Sequence, residues 1–236
     1  MKTFLITSAR ETARQENIKK LCDSLADVDV IEAVYPAFQH VPFLKQIIAV
    51  TKERTGRAQL PAEIGCLMSH RKIWQKIMLS NALPSTHFLI LESDSELSNA
   101  SMINELTAQV EEQYDLFFWG AWLGHMRLFR TSKQRVGKKH SIGTPFIKTV
   151  YCTYGYSVNK AAAAYLLQKT KKIAYPVDQF KQFVNPDDLR IGGIYPEIIQ
   201  SGNLGTYIDQ VNWKNWQHHL FMNLLDIKNN LICFFK

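Results

Sequence analysis

The sequence predicts an α/β protein in which a mostly parallel sheet is flanked by helices and a helical appendage follows at the C-terminus. The chain opens with a strand pattern at 3–8, a helical pattern at 10–26 and a second strand at 28–34. This order indicates a parallel, right-handed unit. The apolar run at 88–91 is typical of a strand buried on both faces of a parallel sheet. Strands and helices then alternate through most of the chain.

The first half of the chain also contains an irregular stretch and two helices. Residues 36–61 lack periodicity, and we expect a loop there with one short helix. From 61 to 79 apolar residues recur at helical spacing, and Glu63 lies in the first turn, where negative charge suits the helix dipole. A second amphipathic helix is predicted over 98–113, with Ser98 or Asn99 as its cap.

The second half continues the alternation. Residues 115–119 and 150–158 read as strands, and 190–195 as a late strand. Asn159 is expected to cap a helix that extends to residue 171. The glycine-containing, basic stretch 127–148 is interpreted as an exposed loop, with a substrate lid as the functional alternative.

The length of the chain limits the number of domains, and its charge indicates the kind of partner. The chain has 236 residues, which fits one large domain with a small appendage, and we place the domain at 1–205 and the appendage at 206–236. The net charge of +7 suggests an anionic partner, which could be nucleic acid, an acidic membrane surface or a polyanionic substrate. Nucleic acid is disfavoured, because the basic residues are not interleaved with aromatic ones.

Cysteine spacing and hydropathy indicate a compartment. The four cysteines, at positions 22, 66, 152 and 233, contain no CxxC pair, so we expect no zinc site and free thiols in a reducing compartment. The N-terminal apolar run is too short for a signal peptide, and no stretch approaches the roughly 20 apolar residues of a membrane span. The sequence therefore predicts a cytoplasmic location.

A pair of carboxylates ends the central strand. Glu92 and Asp94 flank Ser93 directly after the apolar run. Open α/β sheets bind ligands at the carboxyl ends of their strands. Carboxylate oxygens suit a hard divalent cation, and such a cation suits a diphosphate. The alternative is an acidic, solvated turn that continues through Ser95 and Glu96.

Several blocks, taken in order, resemble glycosyltransferase family 25, the lipopolysaccharide and lipooligosaccharide biosynthesis transferases. The sharpest block is Leu-Pro-Ala-Glu-Ile-Gly-Cys-Leu-Met-Ser-His at 60–70, and Leu-Ile-Leu-Glu-Ser-Asp at 89–94 resembles the family's Glu-Asp-Asp strand end. The other blocks are 4–6 with Arg14, 153–156, 159–161 and 176–178, so that the resemblance spans about 3–201. Ser93 departs from the family pattern and removes one carboxylate.

The resemblance implies a GT-A-type, Rossmann-like fold that uses a nucleotide sugar and a divalent cation, Mn²⁺ or Mg²⁺. Asp94 would be the direct metal ligand, and Glu92 would contact the metal through water or bind the ribose. Ser8 and Arg14 would face the nucleoside or diphosphate. The remaining positions that the resemblance assigns to the donor site are Glu63, Ser69, His70, Ser93, Tyr154 and Gln200, with Ser201 beside the last of these. A hydrogen-bonded core histidine is the alternative for His70.

Family 25 is taken as inverting, and inversion by single displacement requires a base for the acceptor hydroxyl. Asp178 is the first candidate base and Glu197 the second. The alternative for Asp178 is a helix N-cap ahead of Phe180 and Phe183.

The resemblance therefore implies an inverting hexosyltransferase that transfers galactose, as our first choice, from a UDP-sugar to a lipooligosaccharide or lipopolysaccharide acceptor. The alternative is a non-catalytic protein with the same fold that binds a nucleotide sugar or a glycan, which Ser93 motivates. The tail from residue 211 combines tryptophans and basic residues in an amphipathic pattern. It could lie on the inner face of an anionic membrane or pack on the domain.

Overall fold

The computed structural model describes residues 1–121, 124–202, 204 and 216–235, with the backbone alone for 216–223. The strands are β1 (Lys2–Thr7), β2 (Val28–Glu32), β3 (Phe88–Glu92), β4 (Ser95–Leu97), β5 (Leu116–Phe118), β6 (Gln134–Val136), β7 (His140–Gly143), β8 (Gly155–Val158), β9 (Ile191–Tyr195) and β10 (Ile199–Ser201). The helices are α1 (Gln15–Ser24), α2 (Leu44–Thr55), α3 (Pro61–Met78), α4 (Ala100–Gln113), α5 (Lys160–Lys169) and α6 (Trp216–Phe235).

One large sheet forms the centre of the fold. Its eight strands lie in the order β2-β1-β3-β8-β5-β9-β7-β6, and all of them except β8 and β7 point in the same direction. A second, two-stranded sheet pairs β10 with β4 in antiparallel register. The predicted α/β class, with a mostly parallel sheet flanked by helices, is confirmed.

The central strand β3 separates two apolar cores. Phe88 and Ile90 belong to the core that includes α3 and α5, whereas Leu89 and Leu91 belong to the core that includes α1 and α4. Successive side chains of a strand point to opposite faces. All four are at most 4% exposed, which explains why this strand is a continuous apolar run with no alternation.

Helix α3 lies unusually close to the chain that follows β2. A Cβ on Gly65 would come within 2.3 Å of the carbonyl oxygen of Val34, so only glycine permits this approach. Ser69 fixes the same contact, because its hydroxyl donates to the Gly65 carbonyl at 2.9 Å and accepts the Val34 N–H at 2.8 Å. The rotation of α3 is thereby set, and Cys66 and His70 face the carboxyl end of β3.

Most predicted elements are confirmed within a few residues, and Asn99 and Asn159 both cap their helices through side-chain oxygens. The helix expected within 36–61 is present as α2, and with 12 residues it is longer than the short helix that we predicted. That helix buries only Thr51 completely, so the sequence carries no clear apolar stripe. The predicted loop at 127–148 is wrong. It contains the hairpin β6–β7 at the sheet edge, where outward-facing Arg135 and Gln134 mask the strand pattern.

The appendage is described only in part. The proposed boundary at 205–206 and the predicted tail residues Trp213 and Lys214 lie outside the described residues. Helix α6 contacts the domain through Asp226, which accepts a hydrogen bond from His125 at 2.7 Å, and through Asn230, which accepts one from Arg127 at 2.8 Å. Within the described part of the chain, no helix has the length and apolar content needed to cross a bilayer.

Candidate active site

The turn between β3 and β4 is rigidly held. The side-chain amide of Asn17 donates to the carbonyls of Ser93 and Ser95, both at 2.9 Å. The backbone N–H of Gly202 donates to the carbonyl of Asp94 at 2.6 Å. Because its backbone is fixed from both sides, this turn presents the acidic side chains of β3 in a defined orientation, as a binding or catalytic site requires.

The carboxylate of Glu92 is compensated by three donors on one oxygen. Oε1 accepts a hydrogen bond from Nε2 of His70 at 3.2 Å, another from the hydroxyl of Thr153, and a weaker contact from Sγ of Cys66 at 3.8 Å. Burial disfavours the charged form, but His70 and Thr153 outweigh it and lower the pKa of Glu92. The side chain is 27% exposed, so an ionised carboxylate remains open to the cleft.

A buried relay orients His70. The indole N–H of Trp74 donates to the hydroxyl of Tyr156 at 3.0 Å, and that hydroxyl lies 2.8 Å from Nδ1 of His70. Since indole can only donate, the hydroxyl hydrogen of Tyr156 is free to point at Nδ1. In the neutral imidazole Nε2 then carries the proton and donates to Glu92. His70 is thus a hydrogen-bonded core histidine, as the alternative interpretation held, and it also supports the site.

Asp94 forms an ion pair with Arg14. Nη2 of Arg14 lies 3.1 Å from Oδ2 of Asp94, and Nη1 donates to the hydroxyl of Ser93 at 2.9 Å. Burial, followed by repulsion from Glu92, raises the pKa of Asp94 to about 6, although Arg14 opposes the shift. Oδ1 of Asp94 is buried and accepts no hydrogen bond from the described residues. An orphaned carboxylate oxygen of this kind fits a metal ligand.

A cleft of about 150 Å³ opens beside this cluster. Its polar lining includes Glu11, whose carboxylate accepts hydrogen bonds from Thr7 at 2.9 Å and from the hydroxyl of Tyr35. Sequence reasoning missed Glu11 and Tyr35, because neither lies in a motif. The rest of the lining consists of Ile6, Arg14, Ala33, Val34, Ala62, Cys66, Ser69, Glu92, Ser93 and Asp94.

Asp178 is an exposed carboxylate without a hydrogen-bond partner among the described side chains. Desolvation by the surrounding protein, followed by repulsion from Glu92 and Glu63, raises its pKa to about 6. The influence of Glu92 indicates that Asp178 lies near the acid pair. The helix-cap alternative is wrong, because the following 3₁₀ turn begins after Gln179 and has no side-chain cap.

Other predicted site residues have partners that organise the cleft walls. Both oxygens of Glu63 are engaged at the start of α3, one by Arg57 at 2.7 Å and one by the backbone N–H of Leu60 at 2.8 Å. Ser8 is buried and donates to Glu32 at 2.6 Å. Neither Ser8 nor Glu63 is part of the cleft lining given above.

The late candidates lie on two segments, one at residue 154 directly after Thr153 and one at 197–201 directly before Gly202, which bonds to Asp94. The hydroxyl of Tyr154 contacts the Ala121 carbonyl and reaches Oε2 of Glu197 at 3.3 Å. Glu197 is 4% exposed. Burial raises its pKa, although backbone hydrogen bonds, including one at Gly124, act in the opposite direction. Gln200 is exposed and lies opposite Glu96 in the β10–β4 pair, with Ser201 opposite Ser95.

The comparison with protein families identifies the class. The sequence profile of glycosyltransferase family 25, described as LPS biosynthesis protein, matches residues 1–181, well over half of the chain. The chain is therefore a glycosyltransferase by descent. It belongs to glycosyltransferase family 25, and the resemblance inferred from the motif blocks is confirmed.

Solved structures give more distant similarity. Residues 1–349 of S. aureus TarS, solved in complex with UDP-GlcNAc, match with a TM-score of 0.42 and 16% identity, covering 97% of this chain and 67% of TarS. The apo form of mouse xyloside xylosyltransferase 1 matches with a TM-score of 0.32 and 11% identity, covering 72% and 75%. The search of curated proteins gave no match.

The relay to His70 generates a stability prediction. Tyr156→Phe removes the hydroxyl that joins Trp74 to His70 and leaves two buried polar groups without a partner. We expect a loss of about 1–3 kcal/mol in the free energy of unfolding, measured by denaturant titration. Tyr165→Phe is the control, since its hydroxyl bonds to the surface residue Asp188, and a loss within about 0.5 kcal/mol is expected. Equal losses in the two variants would contradict the relay.

Proposed function

We propose that this family 25 chain is an inverting hexosyltransferase that transfers a hexose, with galactose as the first candidate, from a UDP-sugar to a lipooligosaccharide or lipopolysaccharide acceptor. The observation that carries the proposal is the pair Glu92 and Asp94 at the carboxyl end of β3, beside a cleft that Arg14 also lines. Ligands of open α/β sheets bind at this edge.

The residues present fit a divalent cation, Mn²⁺ or Mg²⁺. Asp94 would hold it through the orphaned Oδ1, and Glu92, whose pKa is lowered, supplies a second ionised carboxylate beside it. When bound, such a cation neutralises the negative charge of a diphosphate leaving group. Ser93 leaves two carboxylates in this turn, which still suffices for a cation that retains water ligands.

The chain's own groups complete the donor site. Arg14 contributes a buried positive charge that would attract the diphosphate. The apolar side chains of Ile6, Ala33 and Val34, together with the ring of Tyr35, form a wall that suits a flat nucleobase. This lining supports a nucleotide as the donor and leaves the identity of the sugar to experiment.

Asp178 is the base in this proposal. In the displacement, the acceptor oxygen forms a bond to the anomeric carbon while the bond from that carbon to the diphosphate breaks. The electron pair of the breaking bond stays on the diphosphate, and the acceptor proton passes to the carboxylate of Asp178. A carboxylate with a pKa of about 6 that no described side chain engages in a hydrogen bond suits this role. Glu197, buried and bonded to Tyr154, is the second candidate.

The metal assignment predicts the behaviour of Asp94→Ala. We expect Mn²⁺-dependent UDP release from UDP-galactose to fall at least about tenfold, since changes to the support of a metal site typically cost that much or more. Glu96→Gln is the matched control, because Glu96 lies two residues away and is exposed, and it should retain activity. Thermal unfolding checks that both variants fold.

Two outcomes would contradict the metal-dependent transferase. Full activity in folded Asp94→Ala would exclude Asp94 as the metal ligand. UDP binding that is indifferent to Mn²⁺, with no transfer to any glycan acceptor, would favour the alternative of a non-catalytic binding protein. A donor screen with UDP-galactose, UDP-glucose and UDP-N-acetylglucosamine decides among the sugars.

Asp178 predicts a pH dependence. A base is active when ionised, so kcat/KM of the wild type should rise as pH increases through about 6. Asp178→Asn should lower kcat by about 10²–10⁴, whereas the control Asp187→Asn, on an exposed residue, should not.

Because a raised carboxyl pKa means that ionisation destabilises the folded state above pH 6, Asp178→Asn should be at least as stable as wild type at pH 8. Because the pKa of Asp94 is also raised to about 6, the value of kcat decides: a folded Asp178→Asn that keeps the kcat of the wild type would transfer the role of base to another group.

We also propose that α6 binds the inner face of an anionic membrane, where a lipid-anchored acceptor would lie. One face of α6 contacts the domain through Asp226 and Asn230, but the opposite face exposes apolar side chains at helical spacing. These are Leu224, Ile227, Leu231 and Phe234, each more than half exposed. Arg130 lies 4.5 Å from the ring of Phe234, and the chain carries a net charge of +7. An apolar stripe with an arginine beside it, on a chain of net positive charge, complements anionic lipid.

Vesicle sedimentation tests this surface. The protein should bind vesicles of phosphatidylglycerol and phosphatidylcholine, less at high salt, and not bind phosphatidylcholine alone. Ile227→Asp should weaken binding several-fold more than Asn229→Asp, which adds the same charge at a half-buried polar position. Equal effects of the two substitutions would contradict the proposal. A concentration-dependent dimer that Ile227→Asp abolishes would assign the stripe to a second copy of the chain instead.

A further inference from the structure

A second possible metal centre lies behind the acid pair. Sγ of Cys66, a ring nitrogen of His70 and a carboxylate oxygen of Glu92 all lie within 4.8 Å of one another. Cys66 and His70 are four residues apart on α3, so they share one face of the helix, the spacing by which helices present two ligands to one metal ion. Glu92 completes the group from the end of β3.

Two of the three distances within this group are close to those of tetrahedral coordination. Sγ of Cys66 lies 3.8 Å from Oε1 of Glu92, and Nε2 of His70 lies 3.2 Å from the same oxygen. Zinc bonds of about 2.3 Å to sulfur and about 2.0–2.1 Å to nitrogen or oxygen separate tetrahedral ligands by roughly 3.3–3.6 Å. Shifts of a few tenths of an ångström would bring Oε1 of Glu92 to the ligand distance from each of the other two atoms, and the sulfur and the imidazole nitrogen lie within 4.8 Å of each other.

We propose that Cys66, His70 and Glu92 form a binding site for Zn²⁺, with the fourth coordination position open to the cleft. Thiolate and imidazole are ligands that Zn²⁺ accepts readily, whereas Mn²⁺ and Mg²⁺ prefer oxygen. Three protein ligands with one open position is the arrangement of zinc sites that accept water or substrate. The scattered cysteines concealed this site, because its ligands come from a helix and a distant strand.

The surrounding groups support a bound zinc ion. Metal-binding histidines usually have a hydrogen-bond partner on the other ring nitrogen, and the hydroxyl of Tyr156 lies 2.8 Å from Nδ1 of His70. Zinc would take Nε2 and move the imidazole proton to Nδ1. The oxygen of Tyr156 can accept that N–H as well as the indole N–H of Trp74. The thiol proton of Cys66 is released to solvent as the thiolate bonds to zinc.

Zinc at this position would also affect transfer. Bound zinc engages Glu92, which the proposed donor site uses, so Zn²⁺ should inhibit sugar transfer in competition with Mn²⁺. This consequence rests on the proposed function. The binding itself does not, because it requires neither donor nor acceptor.

Cobalt substitution tests the binding directly. Co²⁺ added to the metal-free, reduced full-length protein should produce a thiolate-to-cobalt charge-transfer band in the near-ultraviolet, and added Zn²⁺ should abolish it. Cys66→Ser should lack the band and bind Zn²⁺ at least about tenfold more weakly in competition with a chromogenic chelator. Cys152→Ser is the matched control, since Cys152 is a half-buried free cysteine near the same carboxylates.

The outcomes separate clearly. A band in the wild type and in Cys152→Ser that disappears in Cys66→Ser supports the site. Absence of the band in the wild type, or its persistence in folded Cys66→Ser, overturns the proposal. If the wild type binds zinc through Cys66 but shows no sugar transfer from any UDP-sugar, the zinc site stands and the proposed function fails.

Discussion

The ionised carboxylate of Glu92 at the end of a buried strand is the constraint around which the site is built. An unpaired charge in such a position would cost several kcal/mol. The protein meets this cost with donors from two directions, His70 from α3 and Thr153 from the segment before β8, both on Oε1. Compensation on one oxygen leaves the rest of the carboxylate available to the cleft, so the same contacts that make burial tolerable also keep the group charged.

The need for donors to Glu92 also determines contacts deeper in the core. In its neutral form, His70 donates to Glu92 from Nε2 when Nδ1 accepts a hydrogen bond from the hydroxyl of Tyr156, which is in turn bonded to Trp74. The contact also requires that α3 face the sheet in one rotation, which the Gly65 approach to Val34 and the two hydrogen bonds of Ser69 determine. Cys152, before Thr153, has a left-handed backbone with φ of 69°, a strained conformation of the kind found at functional sites. Gly65, Ser69 and His70, all on α3, therefore act together to place the imidazole against Glu92.

The sequence predicted the parts of this geometry that depend on local pattern. The buried run of β3, the acids at the end of that strand and the helix at 61–78 can be recognised in the sequence, because periodicity and polarity change abruptly there. The partners of those acids are not visible in the same way. Tyr156 meets His70 across 86 residues of sequence, and Thr153 meets Glu92 across 61. Glu11 and Tyr35 enter the cleft only through the pairing of β1 with β2. The hairpin β6–β7 was missed because basic side chains on an exposed edge strand resemble those of a loop.

Ser93 shows how the same constraint limits the acid pair itself. It is 2% exposed, and its hydroxyl accepts one N–H of Arg14 while Asp94 pairs with the other terminal nitrogen. A carboxylate at position 93 would place a third negative charge beside Glu92 and Asp94, with Arg14 as the cation already shared. Burial and repulsion from Glu92 and Glu11 already raise the pKa of Asp94 to about 6, and a further acid would raise it again. Serine gives Arg14 an acceptor without adding charge, so Asp94 can ionise near neutral pH without a third acid. The departure from the Glu-Asp-Asp pattern is thus compatible with a working anionic turn, since two acids and one arginine are balanced more closely than three acids and one arginine.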